Sequence, residues 1–195
     1  MFTDLVLCND YFSDLGFDSV VNVNPVEFVN KHELKKRLFS PGLKVVLGCK
    51  DNRAIVEMKQ IDVLLSPEKG VRRDSLHHRN SGLNHVICKL ARKNGIAMGF
   101  SFNEVLMNRG LKRAVTLGRM MQNVRLCRKY KLRMVLGSFA RTKWGMRAAD
   151  DLISFGIVIG MHPAEAKRSL EVVDVVLKEK KDRKYVLAEG VKILK

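Results

Sequence analysis

The chain has 195 residues, 46% of them hydrophobic and 29% charged, and its 36 Lys and Arg against 20 Asp and Glu give a formal net charge of +16. That composition is too apolar for a disordered basic tail, and so large a positive charge asks for a polyanionic partner. Cys8, Cys49, Cys88 and Cys127 lie far apart with no CxxC, which argues against a zinc ribbon or a disulfide framework and predicts reduced, mostly buried thiols.

Residues 1–30 hold Asp4, Asp10, Asp14, Asp18 and Glu27 and no Lys or Arg, and no apolar run is long enough to span a bilayer. Neither a secretory signal nor a membrane segment is expected, so the protein is read as soluble and cytoplasmic. Short, apolar, β-branched runs then predict strands at 4–8, 19–23, 44–48, 61–66, 96–100 and 132–136. They read as continuous rather than alternating, which suits strands buried on both faces of a parallel sheet.

Helical patterns lie between them. Leu83, Val86, Ile87, Leu90 and Ala91 share a face, with Ser81 as the expected N-cap and Gly95 as the stop. Leu117, Met120, Met121, Val124 and Cys127 recur at helical spacing. Leu152, Phe155, Gly156 and Ile159 form another face, with Asp150 and Asp151 in its first turn and Gly160 after it. Pro163 suits a first helical position, followed by Ala166, Leu170, Val173 and Leu177. Alternating strand and helix predicts an α/β fold. No Pro, Gly or Ser-rich linker divides the chain, so a single domain over residues 1–195 is expected. Periodicity leaves open whether the sheet is doubly wound or closed, since a full eight-stranded barrel normally takes about 250 residues.

The charge is unevenly placed. Residues 109–147 carry twelve bases and no acid: Arg109, Lys112, Arg113, Arg119, Arg125, Arg128, Lys129, Lys131, Arg133, Arg141, Lys143 and Arg147. Because the apolar stripe from Leu117 to Cys127 runs through this block, the segment should fold with its like charges held together, a repulsion that a polyanion relieves. Arg128 projects close to the stripe and is expected to snorkel or to meet a buried acid. Tyr130, Phe139 and Trp144 interleave the block, so stacking on bases is a secondary contribution.

Catalytic signatures are sparse. There is no GxxxxGK[ST], GxGxxG after a strand, HExxH or GxSxG. Asp10 and Asp51 each follow a predicted strand, where acids serve either phosphoester chemistry or, more commonly, helix capping. His77 and His78 stand near Asp74 but project in different directions, which makes a polar loop the favoured reading over a metal site. A metal-dependent phosphoesterase is therefore the alternative, not the first choice.

The stretch HVICKLARKNGIAMGFSF at residues 85–102, preceded by NSGLN at 80–84, resembles the ribonuclease P component 3 family of archaea and eukaryotes. NVRLCRKY at 123–130, DDLISFG at 150–156 and GMHPAEAKRSL at 160–170 continue the match in order. WGMRAA at 144–149 departs from a more polar stretch typical of the family. The resemblance implies a compact, irregular TIM-like barrel related to metal-dependent phosphoesterase barrels. It also implies a noncatalytic protein subunit of the ribonucleoprotein that removes the 5′ leader from precursor tRNA. The implied partners are the ribonuclease P RNA, ribonuclease P protein component 2 and the other protein subunits, with precursor tRNA met indirectly. No cofactor is expected on the protein itself, Mg²⁺ being expected at the RNA active site. Combined with the charge pattern, the RNA-binding residues are expected to be Lys89, Arg92, Arg109, Arg119, Arg125, Arg128, Lys129, Arg141, Lys143 and Arg147.

Overall fold

The computed structural model describes residues 1–39, 42–70, 73–74, 79–183, 186–188 and 191–192. All six predicted strands form: β1 (Thr3–Val6), β2 (Ser19–Asn22), β3 (Val45–Leu47), β4 (Val63–Leu65), β5 (Ala97–Ser101) and β6 (Met134–Gly137). The helices are α1 (Lys31–Arg37), α2 (Asn52–Val56), α3 (His85–Lys93), α4 (Phe102–Met107), α5 (Gly110–Lys129), α6 (Ala149–Val158) and α7 (Pro163–Arg183). A short antiparallel pair, β7 (Val186–Ala188) and β8 (Val191–Lys192), follows.

The open question of closure is answered by backbone hydrogen bonds. β1 pairs in parallel with β2, and β3 to β6 pair in parallel in sequence order. The chain beyond β2 reaches β3 through Val26, whose N–H donates to the Val45 carbonyl (2.9 Å) while its carbonyl accepts from Leu47 (3.0 Å). On the far side the chain leaving β6 returns to β1, with Phe139 N–H on the Leu5 carbonyl (2.7 Å) and Leu7 N–H on the Ala140 carbonyl (2.8 Å). The six strands therefore close into an irregular parallel ring, a TIM-like barrel with fewer than the usual eight strands.

Both faces of the ring are apolar, as the continuous runs predict. Leu5, Val45, Val63, Leu65, Ala97 and Val135 pack with one another on the inner face, whereas Val46, Leu64, Met98, Phe100 and Leu136 pack outward against the helices. Gly99 belongs to the inner set: a Cβ there would lie 3.0 Å from Val63, so a larger residue would crowd the lumen.

Helix α7 closes the N-terminal mouth. Glu171 pairs with the Met1 amino group (3.7 Å), Glu179 takes Arg133 bidentately (2.7 and 2.8 Å), and Lys180 reaches Asp62 and the Gly42 carbonyl. Those partners precede β1, β6, β4 and β3 respectively, so the helix spans the mouth, and its buried Val173 joins the inner cluster.

Local capping agrees with the predicted boundaries with one correction. The N-cap of α3 is Asn84, whose side chain accepts from Ile87 N–H (2.9 Å), and not Ser81, which is buried upstream. Asp51 caps α2 by accepting from Ala54 N–H (3.1 Å), the helix-capping role weighed for that strand-end acid. Met121, counted in the apolar stripe of α5, faces solvent, and the buried face is Met120, Asn123, Val124 and Cys127.

Candidate nucleic-acid interface

Helix α5 starts at the C-terminal rim of the barrel and ends at the N-terminal mouth, because it follows β5 and α4 and leads into β6. Its buried face holds it on the core, which leaves its bases on the outer face. Arg109 at its N-cap, Arg125 and Lys129 are exposed, as is Lys89 on the neighbouring α3, and Arg141 is exposed on the rim. None of these five makes an ion pair among the described residues. Lys129 lies over the Tyr130 ring at 5.8 Å. Arg109 and Arg141 lie at the rim, Arg125 and Lys129 in the last turns of α5 and Lys89 on the neighbouring helix, and exposed, unneutralised bases of this kind are what phosphate contacts need.

The other five expected contacts are engaged by groups of the protein itself. The Arg119 guanidinium is 12% exposed and donates to Asp74 from Nε (3.1 Å) and from one terminal nitrogen (2.9 Å). Arg92 caps the end of α5 by donating to the Tyr130 and Lys131 carbonyls. Arg147 donates to the Trp144 and Met146 carbonyls and sits over the Phe102 ring at 5.4 Å. Lys143 pairs with Asp10 (3.0 Å) and lies over both the Phe12 and Trp144 rings.

Of the two outcomes expected for Arg128, snorkelling or pairing with a buried acid, it pairs with an acid, which is only partly buried. Its guanidinium donates to both oxygens of Glu165 (2.6 and 3.0 Å) and to the Gly160 carbonyl (2.7 Å). Together with the His162 N–H, this grip lowers the Glu165 carboxyl to about 2. A carboxyl depressed from its ordinary value near 4.5 supports the fold above that pH and loses its contribution as pH falls toward 2. The pair is partly solvated, so Arg128→Ala should cost only about 1 kcal/mol at pH 7, an increment that urea titrations should find vanishing by about pH 2.

The strand-end acids each have a partner of their own. Asp10 is neutralised by Lys143 and Asp51 is a helix cap. His77 and His78 lie outside the described residues. Among the described residues no group of three or more His, Cys, Asp or Glu is placed to hold a metal ion.

Two features escape sequence reasoning. Glu68, immediately after β4, is fully buried, and its carboxylate accepts from Asn123 of α5 (3.3 Å), which also donates to the Ser81 carbonyl (3.0 Å). Burial pushes the Glu68 carboxyl up to about 8. Asn123 stands at helical spacing within the α5 stripe, a polar residue on an apolar face, and that is the signal that could have found it. Glu68 lies in a Pro-Glu-Lys-Gly turn that reads as solvated, and nothing in its neighbourhood marks it. The second feature is an aromatic pair on the rim: Trp144, 75% exposed, meets Phe12 edge-to-face at 5.5 Å between ring centres. Tyr130 is half-buried and Phe139 buried, so Trp144 alone of the three interleaved aromatics is open to a base.

Among the described residues no helix is long and apolar enough to cross a membrane. Residues 46–185 match the family RNase P subunit p30. A Ribonuclease P protein component 3 from Methanococcoides burtonii is 35% identical over 144 residues, covering 73% of this chain and 56% of that protein. The corresponding protein of Thermococcus gammatolerans is 37% identical over 119 residues, 61% of this chain and 52% of its own length. The chain thus spans a little over half the length of these curated relatives. Among solved structures, a chain of the cryo-EM structure of archaeal Ribonuclease P with mature tRNA superposes with a TM-score of 0.75 at 23% identity, covering 99% of this chain and 88% of that one. That likeness bears on the fold, and it agrees with the ring of parallel strands described above.

Proposed function

The chain belongs to the RNase P subunit p30 family, and from that premise we propose that it is a noncatalytic protein subunit of the ribonuclease P ribonucleoprotein, binding and supporting the RNA that removes the 5′ leader from precursor tRNA. The observation that carries this reading is the set of exposed bases Lys89, Arg109, Arg125, Lys129 and Arg141, which make no ion pair among the described residues, most of them on the helices α3 and α5. Rigid helices bearing Arg and Lys suit folded RNA, which presents dense phosphate and is recognised through backbone and shape more than through base edges. Ribonuclease P RNA, component 2 and the remaining protein subunits are the partners, and precursor tRNA is met through them. The chain takes part in endoribonuclease action without supplying the reacting groups, so Mg²⁺ belongs with the RNA and no cofactor with the protein. The single-domain organisation and a cytoplasmic setting go with the same reading.

If about six bases contact phosphate, the logarithm of affinity for a ribonuclease P RNA transcript should fall against the logarithm of salt with a slope of about −4 to −5. Leaving the protein out of a reconstituted holoenzyme should slow precursor tRNA processing. Salt-independent binding, or processing indifferent to its omission, would overturn the reading. Metal-stimulated phosphoester hydrolysis by the protein alone, lost in Asp10→Ala, would favour the phosphoesterase instead.

A further inference from the structure

Three helices end in the same way but not with the same residue. In α3, α5 and α6 the first residue past the C-cap takes a left-handed backbone and donates back three positions, and the next residue donates back five: Gly95 to Arg92 and Ile96 to Ala91, Lys131 to Arg128 and Leu132 to Cys127, Gly160 to Ile157 and Met161 to Gly156. These are the hydrogen bonds of a Schellman terminus, whose left-handed position favours glycine. Gly95 (φ +71) and Gly160 (φ +96) follow that preference, and Lys131 (φ +53) does not. A side chain at such a φ costs on the order of 1 kcal/mol relative to glycine. The carbonyl end of the helix returns part of that cost to an exposed cation, and the remainder directs attention to what the side chain faces.

It faces two adjoining clefts at the N-terminal mouth of the barrel. One, of about 250 Å³, runs from Arg92 and Gly95 of the α3 terminus to Lys131 and Arg133. The other, of about 330 Å³, lies between the end of α5 and the start of α7 and is lined by Arg128, Arg133, Glu165 and Arg168. Lys131, Leu132 and Arg133 form a wall common to both. Three of the guanidiniums are fixed in place: Arg92 by carbonyls at the end of α5, Arg128 by Glu165, and Arg133 by Glu179. Lys131 and Arg168 are exposed and make no ion pair among the described residues. Five cations against two carboxylates leave the groove about three charges positive.

We propose that this paired cleft is a docking groove for the backbone phosphates of RNA, with Lys131 and Arg168 contacting phosphate and the anchored arginines forming its charged walls. The inference rests on the RNA-binding reading above and adds a location to it. The groove extends the RNA-facing surface to the N-terminal mouth of the barrel, the end opposite the rim where barrels of this class carry out their chemistry.

The test measures binding of a ribonuclease P RNA transcript across a salt series for the unaltered protein, Lys131→Gly, Arg168→Ala and the double variant, each with its thermal midpoint. Losing two phosphate contacts should weaken binding about 10- to 30-fold near physiological salt and flatten the salt slope by about 1.5. Lys131→Gly should raise the thermal midpoint while weakening binding, so misfolding cannot account for the loss. Lys131→Arg should keep the binding without the gain in stability. Unchanged affinity and slope in the double variant, with the unaltered protein binding normally, would overturn the groove and leave the subunit reading standing. Failure of the unaltered protein to bind the transcript would overturn both.

Discussion

Replacing Asp4 with alanine should destabilise the fold by about 3–5 kcal/mol, the largest effect expected of any single side chain in the ring. Asp4 sits inside β1 with no exposed surface, and its carboxylate accepts from Ser138 N–H (2.7 Å), Ser138 Oγ (2.6 Å) and Leu5 N–H (2.8 Å). Ser138 lies just past β6, so this side chain ties the first strand to the last at the seam where the barrel closes. Alanine would remove the acceptor of two buried N–H groups, those of Ser138 and Leu5, and leave the Ser138 hydroxyl only the Leu5 carbonyl at 3.5 Å. An orphaned buried donor costs about 1–3 kcal/mol.

Asparagine at the same position should behave differently. Burial raises the Asp4 carboxyl to about 6 against the opposing pull of its three donors. A carboxyl raised from about 4 to about 6 contributes stability that is fully present below pH 4 and lost as pH climbs through 6. The loss is about 3 kcal/mol at about 1.4 kcal/mol per unit. The substituted amide would still accept from Ser138 N–H while the serine hydroxyl turns to accept, and it does not titrate. Urea unfolding should therefore find Asp4→Asn far milder than Asp4→Ala at pH 7, and flatter than the parent between pH 4 and 6. An Asp4→Ala variant within about 1 kcal/mol of the parent would show that the seam is held by the Phe139–Leu5 and Leu7–Ala140 backbone bonds alone.

What the chain discloses before its structure is known follows from how local each signal is. A strand buried on both faces must be apolar at every position, so β3, β4 and β6 are written in consecutive residues such as Val45-Val-Leu and Met134-Val-Leu. The ring's closure is not written anywhere. It depends on one bridge at Val26, on backbone groups of Phe139 and Ala140 and on the Asp4–Ser138 contact between residues 134 positions apart, none of which a local pattern marks. Charge is similar. The basic block is plain in the sequence, but its division into free and engaged members is not, because Arg119 finds Asp74 from 45 positions away and Arg128 finds Glu165 from 37. Half of the expected contacts are engaged by acids, carbonyls or rings that only the fold brings near. Lys131 shows the converse: in the sequence it is one more base in a run, and its left-handed backbone sets it apart.

The second large effect lies at Glu68, and it runs toward greater stability. Glu68 is enclosed between the β4 end and α5, where Glu104 opposes its ionisation and the Asn123 amide and Arg119 favour it, and burial outweighs them all. Its carboxyl therefore holds a proton at neutral pH although the unfolded chain gives that proton up near pH 4.5. A group raised in this way supports the fold fully below pH 4.5 and progressively withdraws that support as pH rises through about 8. At about 1.4 kcal/mol per unit the withdrawal approaches about 5 kcal/mol across the window, with about 3 kcal/mol already gone at pH 7. Glu68→Gln removes the titration while keeping an acceptor for the Asn123 amide. The variant should unfold at higher urea than the parent at pH 7 and 8, converge with it at pH 4.5, and leave the RNA salt slope unchanged, since Glu68 faces no solvent. Equal stability of the two proteins across pH 5–8 would mean that Glu68 is ionised and compensated inside the fold. Because the Asp4 window runs to about pH 6 and the Glu68 window from 4.5 to about 8, both groups contribute between 4.5 and 6 and Glu68 alone above 6. Asp4→Asn should therefore keep the parent's slope above pH 6, and the double variant Asp4→Asn with Glu68→Gln should lose it in both ranges.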